Sequence, residues 1–149
     1  MKRALRCDKT TIAALGAVLK LYADTDSLPQ KLPALRLLTR PGAEIKSQAE
    51  RLAPMVQTAL GASTAVTVIS VKSQIGSGAL PVDLLPSFAL RLCPAGKSSG
   101  KKLAALAAAF RNLPVPVIGR IHDGALVFDL RCLEDEAAFI DQLPLLPTP

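Results

Sequence analysis

Apolar residues recur along this chain at two periods, and the change near residue 61 divides it. Across residues 8–23, Ile12, Ala13, Leu15, Val18, Leu19 and Tyr22 fall at helical spacing behind Asp8 or Thr10 as N-cap, which predicts an amphipathic helix. Asp24-Thr-Asp-Ser supplies turn chemistry after it. A short apolar segment over 32–38 carries Pro33 near its start, where the first turn of a helix tolerates proline. A longer helix is predicted from Thr39 as N-cap, with Pro41 in its first turn. Its stripe is Ile45, Ala49, Leu52, Met55, Val56, Ala59 and Leu60, ending at Gly61. Pro54 interrupts that stripe and predicts a kink, while Glu50 and Arg51 fall on the wet face.

After Gly61 the pattern becomes extended. Residues 66–71 are β-branched and short, and residues 88–92 read as a second strand. Between them, over 73–86, runs Ser-Gln-Ile-Gly-Ser-Gly-Ala-Leu-Pro-Val-Asp-Leu-Leu-Pro, a polar glycine segment that is either a ligand-facing loop or a long hairpin connection. Residues 94–100 read as a flexible turn, and 101–112 as an Ala- and Leu-rich helix facing inward through Leu103, Leu106, Ala107 and Phe110. Residues 115–131 carry the strongest hairpin signal, with Asp123-Gly124 as a two-residue turn of the primed type. Glu134-Asp-Glu opens a last helix with Phe139, Ile140 and Leu143 inward, followed by a proline-rich tail.

This order predicts an α+β fold: N-terminal helices, then a small, mainly antiparallel sheet with helices on one face. The expected division is a helical connecting segment over 1–61 and a small α+β domain over 62–149. A chain of 149 residues buries about 70% of its unfolded surface. With half its residues hydrophobic and only 3% aromatic, its core is built of Leu, Ala, Val and Ile. That scarcity of rings argues against nucleic-acid binding by base stacking.

The net charge of +6 favours an anionic partner, and it is concentrated early. Between Met1 and Arg51 stand ten Lys or Arg against five Asp or Glu, with Lys2, Arg3 and Arg6 among the first six residues. Cys7, Cys93 and Cys132 are odd in number and widely spaced, so neither a zinc site nor a disulfide framework follows, and reduced thiols in a cytosolic protein are expected. The basic start has no apolar stretch behind it to make a secretory signal, and no apolar run reaches membrane-spanning length.

No self-sufficient catalytic constellation stands out. His122, the single histidine, adjoins the hairpin turn and reads as an exposed turn residue. Glu134, Asp135 and Glu136 read as a helix start rather than a metal cage, with Asp123 and Asp129 nearby in sequence. Lys9, Lys72 and Lys97 read as surface lysines. Gly96-Lys97-Ser98 lacks the earlier glycine of a phosphate loop, since Arg91 stands in its place.

Several separate motifs do agree with one family. Arg3-Ala-Leu-Arg6-x-Asp8-Lys9, Leu19-Lys-Leu-Tyr22, Leu35-Arg-Leu-Leu-Thr-Arg40, Ser73-Gln-Ile-Gly-Ser-Gly-Ala-Leu-Pro81, and Pro114-Val-Pro-Val-Ile-Gly-Arg-Ile-x-Asp-Gly124 with Asp129-Leu-Arg131 resemble bacterial selenocysteine synthase, the L-seryl-tRNA(Sec) selenium transferase. The resemblance spans nearly the whole chain and implies the C-terminal portion of a fold-type-I pyridoxal-phosphate enzyme, its sheet corresponding to that enzyme's small domain. It implies conversion of seryl-tRNA(Sec) to selenocysteinyl-tRNA(Sec) with selenophosphate, in a cytoplasmic homo-oligomer not bound to membrane. It places the Schiff-base lysine upstream of Met1, so the expectation is a truncated chain with no catalytic residue of its own, no bound pyridoxal phosphate and no turnover alone. By the same resemblance Arg3 and Arg6 hold the selenium donor's phosphate-like group, which suits guanidinium forks. Gln74, Gly76 and Gly78 become candidates for an active-site or interface loop. Two other readings stay open: a non-catalytic basic module binding RNA or protein, and part of another fold-type-I pyridoxal-phosphate lyase or transferase.

Overall fold

A computed structural model describes residues 7–74, 84–96 and 100–147 of the chain. Contacts divide the protein into two compact units, Met1–Thr39 and Arg40–Pro149.

The first unit is helical. Helix α1 (Lys9–Leu21) is capped by Asp8, whose Oδ1 accepts from the Thr11 backbone N–H at 2.7 Å. Two short helices follow, α2 (Leu28–Lys31) and α3 (Pro33–Leu38), the latter opening on Pro33 as the sequence predicts. Thr39 ends α3 instead of starting the next helix. Its hydroxyl donates back to the Leu35 carbonyl at 2.8 Å, so Pro41 takes the N-cap place. The turn before α2 is held by Asp24, which accepts from Lys31 Nζ at 2.8 Å and from the Ser27 hydroxyl. These hydrogen bonds, that of Lys31 foremost, hold the Asp24 carboxyl down at about 2.

The second unit opens with α4 (Gly42–Leu60), which runs without a break through Pro54. It buries Ile45, Gln48, Ala49, Leu52, Val56 and Leu60 and packs against the strands β1 (Thr64–Gln74) and β2 (Leu84–Pro94). The unit thus begins at Arg40, whereas the change of hydropathy period put a boundary at Gly61. The reason is complementary need: the stripe of α4 must be covered, and so must the apolar face of the sheet. Helix α5 (Gly100–Arg111), strands β3 (Arg120–His122) and β4 (Ala125–Asp129) and helix α6 (Glu136–Asp141) complete the unit.

The four strands form one antiparallel sheet in the order β1-β2-β4-β3. Leu90, Leu92, Leu126 and Phe128 from its central strands meet the α4 stripe and Leu103, Phe110, Phe139 and Leu143 in a single core. The rings of Phe110 and Phe128 lie 4.7 Å apart, tilted by 59°. At the β3–β4 turn, Asp123 has φ 46° and Gly124 φ 67°, the two positive values that a type I′ turn demands. The hairpin is shorter than its alternation suggests, since residues 115–119 stay outside the ladder. Val115 is held instead by the Gln142 side chain, which accepts from its N–H and donates to its carbonyl, both at 3.0 Å. A side chain at Gly119 would press on the Phe128 ring at 2.7 Å and the Val127 carbonyl at 2.8 Å, so glycine alone lets the backbone pass there.

Candidate functional site

The polar groups of this chain converge where the β1–β2 connection leaves the sheet. The two strands remain paired out to Gln74 opposite Leu84, so the glycine segment is a hairpin connection at both of its ends. Pro86 fits within β2 because the β4 ladder reaches only from Ala89 to Leu92, leaving Pro86 with a partner on one side alone.

Asp129, at the end of β4, spans both arms of this hairpin. Its Oδ2 accepts from the Ser73 hydroxyl and its Oδ1 from the Ser87 hydroxyl, each at 2.6 Å. The Arg131 backbone N–H adds a third bond to Oδ1 at 3.1 Å. The Arg131 side chain, only 5% exposed, donates to Ser73 Oγ at 3.2 Å, to the Arg40 carbonyl at 3.2 Å and to the Pro86 carbonyl. Arg40 answers reciprocally, its Nη1 donating to the carbonyls of Leu130, Arg131 and Leu133 at 2.9–3.2 Å. Its Nη2 donates to Gln48 Oε1 at 2.7 Å, and Gln48 Nε2 reaches the Leu133 carbonyl at 3.1 Å. Two guanidiniums, one carboxylate, two hydroxyls and one amide therefore knit β1, β2, the start of α4 and the turn after β4. Among the described residues every buried side-chain N or O has a partner.

Such a cluster positions rather than reacts. The serine hydroxyls are committed to Asp129 with no histidine or lysine beside them, so no activated nucleophile is formed. What the cluster does is hold the two ends of the connection at a set separation. Gln74 is the last residue of β1 and exposed, while Gly76 and Gly78, like Arg3 and Arg6, lie outside the described residues. His122 is exposed at the turn, its Nε2 3.3 Å from Asp123. No lysine is among the buried polar side chains of the described residues, and Lys102, which lines a recess of about 420 Å³ beside Leu60, Pro94 and Leu106, donates to the Ala95 carbonyl at 3.5 Å. Among the described residues no group of three His, Cys, Asp or Glu side chains could hold a metal, and no helix is long and apolar enough to cross a membrane.

The sequence offered one signal for this cluster that its motifs left unused. Gln48 interrupts the apolar stripe of α4, and a polar residue on a core-facing stripe must find a buried partner. Asp129 and Arg131 stand in the quoted motifs, but nothing in their spacing shows that they grip residues about half the chain away.

Comparison with known proteins places the chain. A family model described as L-seryl-tRNA selenium transferase matches residues 1–134. The chain belongs to this family. Curated relatives named L-seryl-tRNA(Sec) selenium transferase are 58% identical over 144 residues in Rhizobium meliloti and 57% over 143 in Klebsiella pneumoniae. A third, from Escherichia coli, is 55% identical over 143 residues. Each match covers 96% of this chain, and the chain spans only 30–31% of the length of these selenium transferases.

Proposed function

We propose that the chain is the C-terminal portion of an L-seryl-tRNA(Sec) selenium transferase, acting in the conversion of seryl-tRNA(Sec) to selenocysteinyl-tRNA(Sec) with selenophosphate as donor. The observation that carries this reading is 58% identity across 96% of the chain to a relative bearing that name. The complete enzyme uses pyridoxal phosphate, held by parts of the family polypeptide that this chain does not span, in a cytoplasmic homo-oligomer.

Within that enzyme Arg3 and Arg6 bind the donor's anionic group. Gln74, Gly76 and Gly78 face the active site or a neighbouring subunit from the connection whose ends Asp129 and Arg131 grip. Residues 1–61 act as the connecting segment, whose last helix α4 packs on the sheet, and 62–149 as the small domain. Alone, the chain binds no pyridoxal phosphate and turns over no substrate.

The test is replacement. The Escherichia coli relative carrying this chain in place of its matching segment is expected to form selenocysteinyl-tRNA(Sec), read by radioactive selenium on tRNA. A folded chimera that transfers no selenium overturns the reading. In the active chimera, loss of the charge-assisted bonds in Arg3→Ala or Arg6→Ala is expected to weaken donor use by about 10- to 100-fold. A borohydride-reducible pyridoxal band on the isolated chain would overturn the expectation that the chain alone binds none.

A further inference from the structure

Helix α1 has no buried residue, yet it carries the large apolar side chains of a packed helix. Ile12 is 60% exposed, Leu15 57%, Val18 41%, Leu19 57% and Tyr22 49%. At about 100° per residue these five fall within one arc of roughly 120°, the width of a stripe that faces a core. The only charged side chains of the helix, Lys9 and Lys20, lie together outside that arc. A helix of 13 residues is at the lower limit of what stands unaided in water, so such a stripe is made to be covered.

The geometry points to one occupant: the part of the family polypeptide that this chain does not span, docked on the Ile12, Leu15, Leu19 and Tyr22 face of α1. Two observations select it. Relatives aligned over 96% of this chain are more than three times as long, so a large body of the same polypeptide exists in them that has no counterpart here. A second copy of this chain is the weaker fit, because five side chains from each helix fall far short of the roughly 20–30 residues a side of a stable interface. Docking within one polypeptide escapes that requirement, since the tether sets a high effective concentration. The inference rests on the chain being one part of a longer selenium transferase and is indifferent to the chemistry that enzyme performs.

Amide hydrogen exchange of residues 9–21 reads the docking without any assay of selenium transfer. In the chain alone α1 is expected to exchange rapidly at every protein concentration. Mixed with the Rhizobium meliloti relative lacking its matching segment, or joined to it in one polypeptide, α1 is expected to slow by about tenfold or more. Leu15→Glu with Leu19→Glu is expected to abolish the slowing while leaving exchange in α4 unchanged. Slow exchange in the chain alone that grows with concentration assigns the face to a second copy and overturns the inference. Slow exchange independent of concentration overturns it too, as does slowing that survives the double substitution. So does the absence of slowing in both the mixture and the joined polypeptide. Loss of selenium transfer with α1 still protected would count against the proposed function alone.

Discussion

Helices α1 and α4 look alike as strings of apolar residues and are held by opposite means. Helix α1 has a side-chain cap from Asp8 and buries nothing; α4 has no side-chain cap and buries six residues, four of them, Ile45, Ala49, Leu52 and Val56, at 0% exposure. Apolar periodicity therefore announces that a helix has a partner without saying which molecule or segment supplies it. For α4 the partner is the sheet of its own unit. For α1 it lies beyond that helix, and local capping is what its described neighbours contribute.

The contrast is broken most directly by removing one leucine from each helix. Leu52→Ala empties a site at 0% exposure and is expected to cost about 3–4 kcal/mol of unfolding free energy in urea titration. Leu15→Ala, at 57% exposure, is expected to change the same transition by less than about 0.5 kcal/mol. Equal losses would mean that α1 is packed in the isolated chain. Next in size is Gln48→Leu, which keeps the volume of the stripe but strips Arg40 Nη2 of its acceptor. Its expected cost is about 1–3 kcal/mol, and a neutral result would show that the amide contributes nothing to the polar cluster.

Much of this architecture was legible in the order of elements. The hairpin turn at Asp123-Gly124 and the Asp8 cap are local, each decided by one or two residues, and both are where the chain's pattern puts them. The misreadings have a common cause. Strands β1 and β2 run to Gln74 and from Leu84, well into the glycine segment, because pairing continues wherever Asp129 and Arg131 hold the arms together. Thr39 carries cap chemistry but spends it on the preceding helix. Residues 115–119 alternate like a strand but are claimed by Gln142 and, at Val117, by the Phe110 carbonyl. In each case a hydrogen-bond partner that the apolar period does not record outbid the expected element, distant in sequence for the strands and Val115 and one helical turn back for Thr39. Of the polar cluster, only Gln48 on the apolar stripe of α4 left a mark in the sequence, since its partners Arg40 and Leu133 lie outside any local period.

Smaller effects sharpen the comparison from the side of α1. Asp8→Ala is expected to fray the first turn, seen as faster exchange at Thr11 and lower helical circular dichroism, with the main urea transition unmoved. The backbone N–H of Thr11 also lowers the Asp8 carboxyl pKa, so acid is expected to act on the cap as the substitution does. A cap loss that moved the main transition would show α1 to be cooperative with the sheet.

The least effect is expected at Asp24, where the direction with pH is settled by the sign of its shift. Its carboxyl is lowered from 3.8 to about 2, so the folded turn binds its proton more weakly than the unfolded chain does. The stabilisation is therefore fully present above about pH 4 and is lost as the pH falls through about 2. The pair with Lys31 is exposed, at 46% and 55%, so salt screens it and little global stability depends on it. Titrating the Asp24 carboxyl by NMR is expected to give that low midpoint in the unaltered chain and a rise toward 3.8 in Lys31→Met, the first-ranked source of the shift. A midpoint unmoved by that substitution would assign the shift to Ser27 alone, whose hydroxyl and backbone N–H both donate to the Asp24 carboxylate.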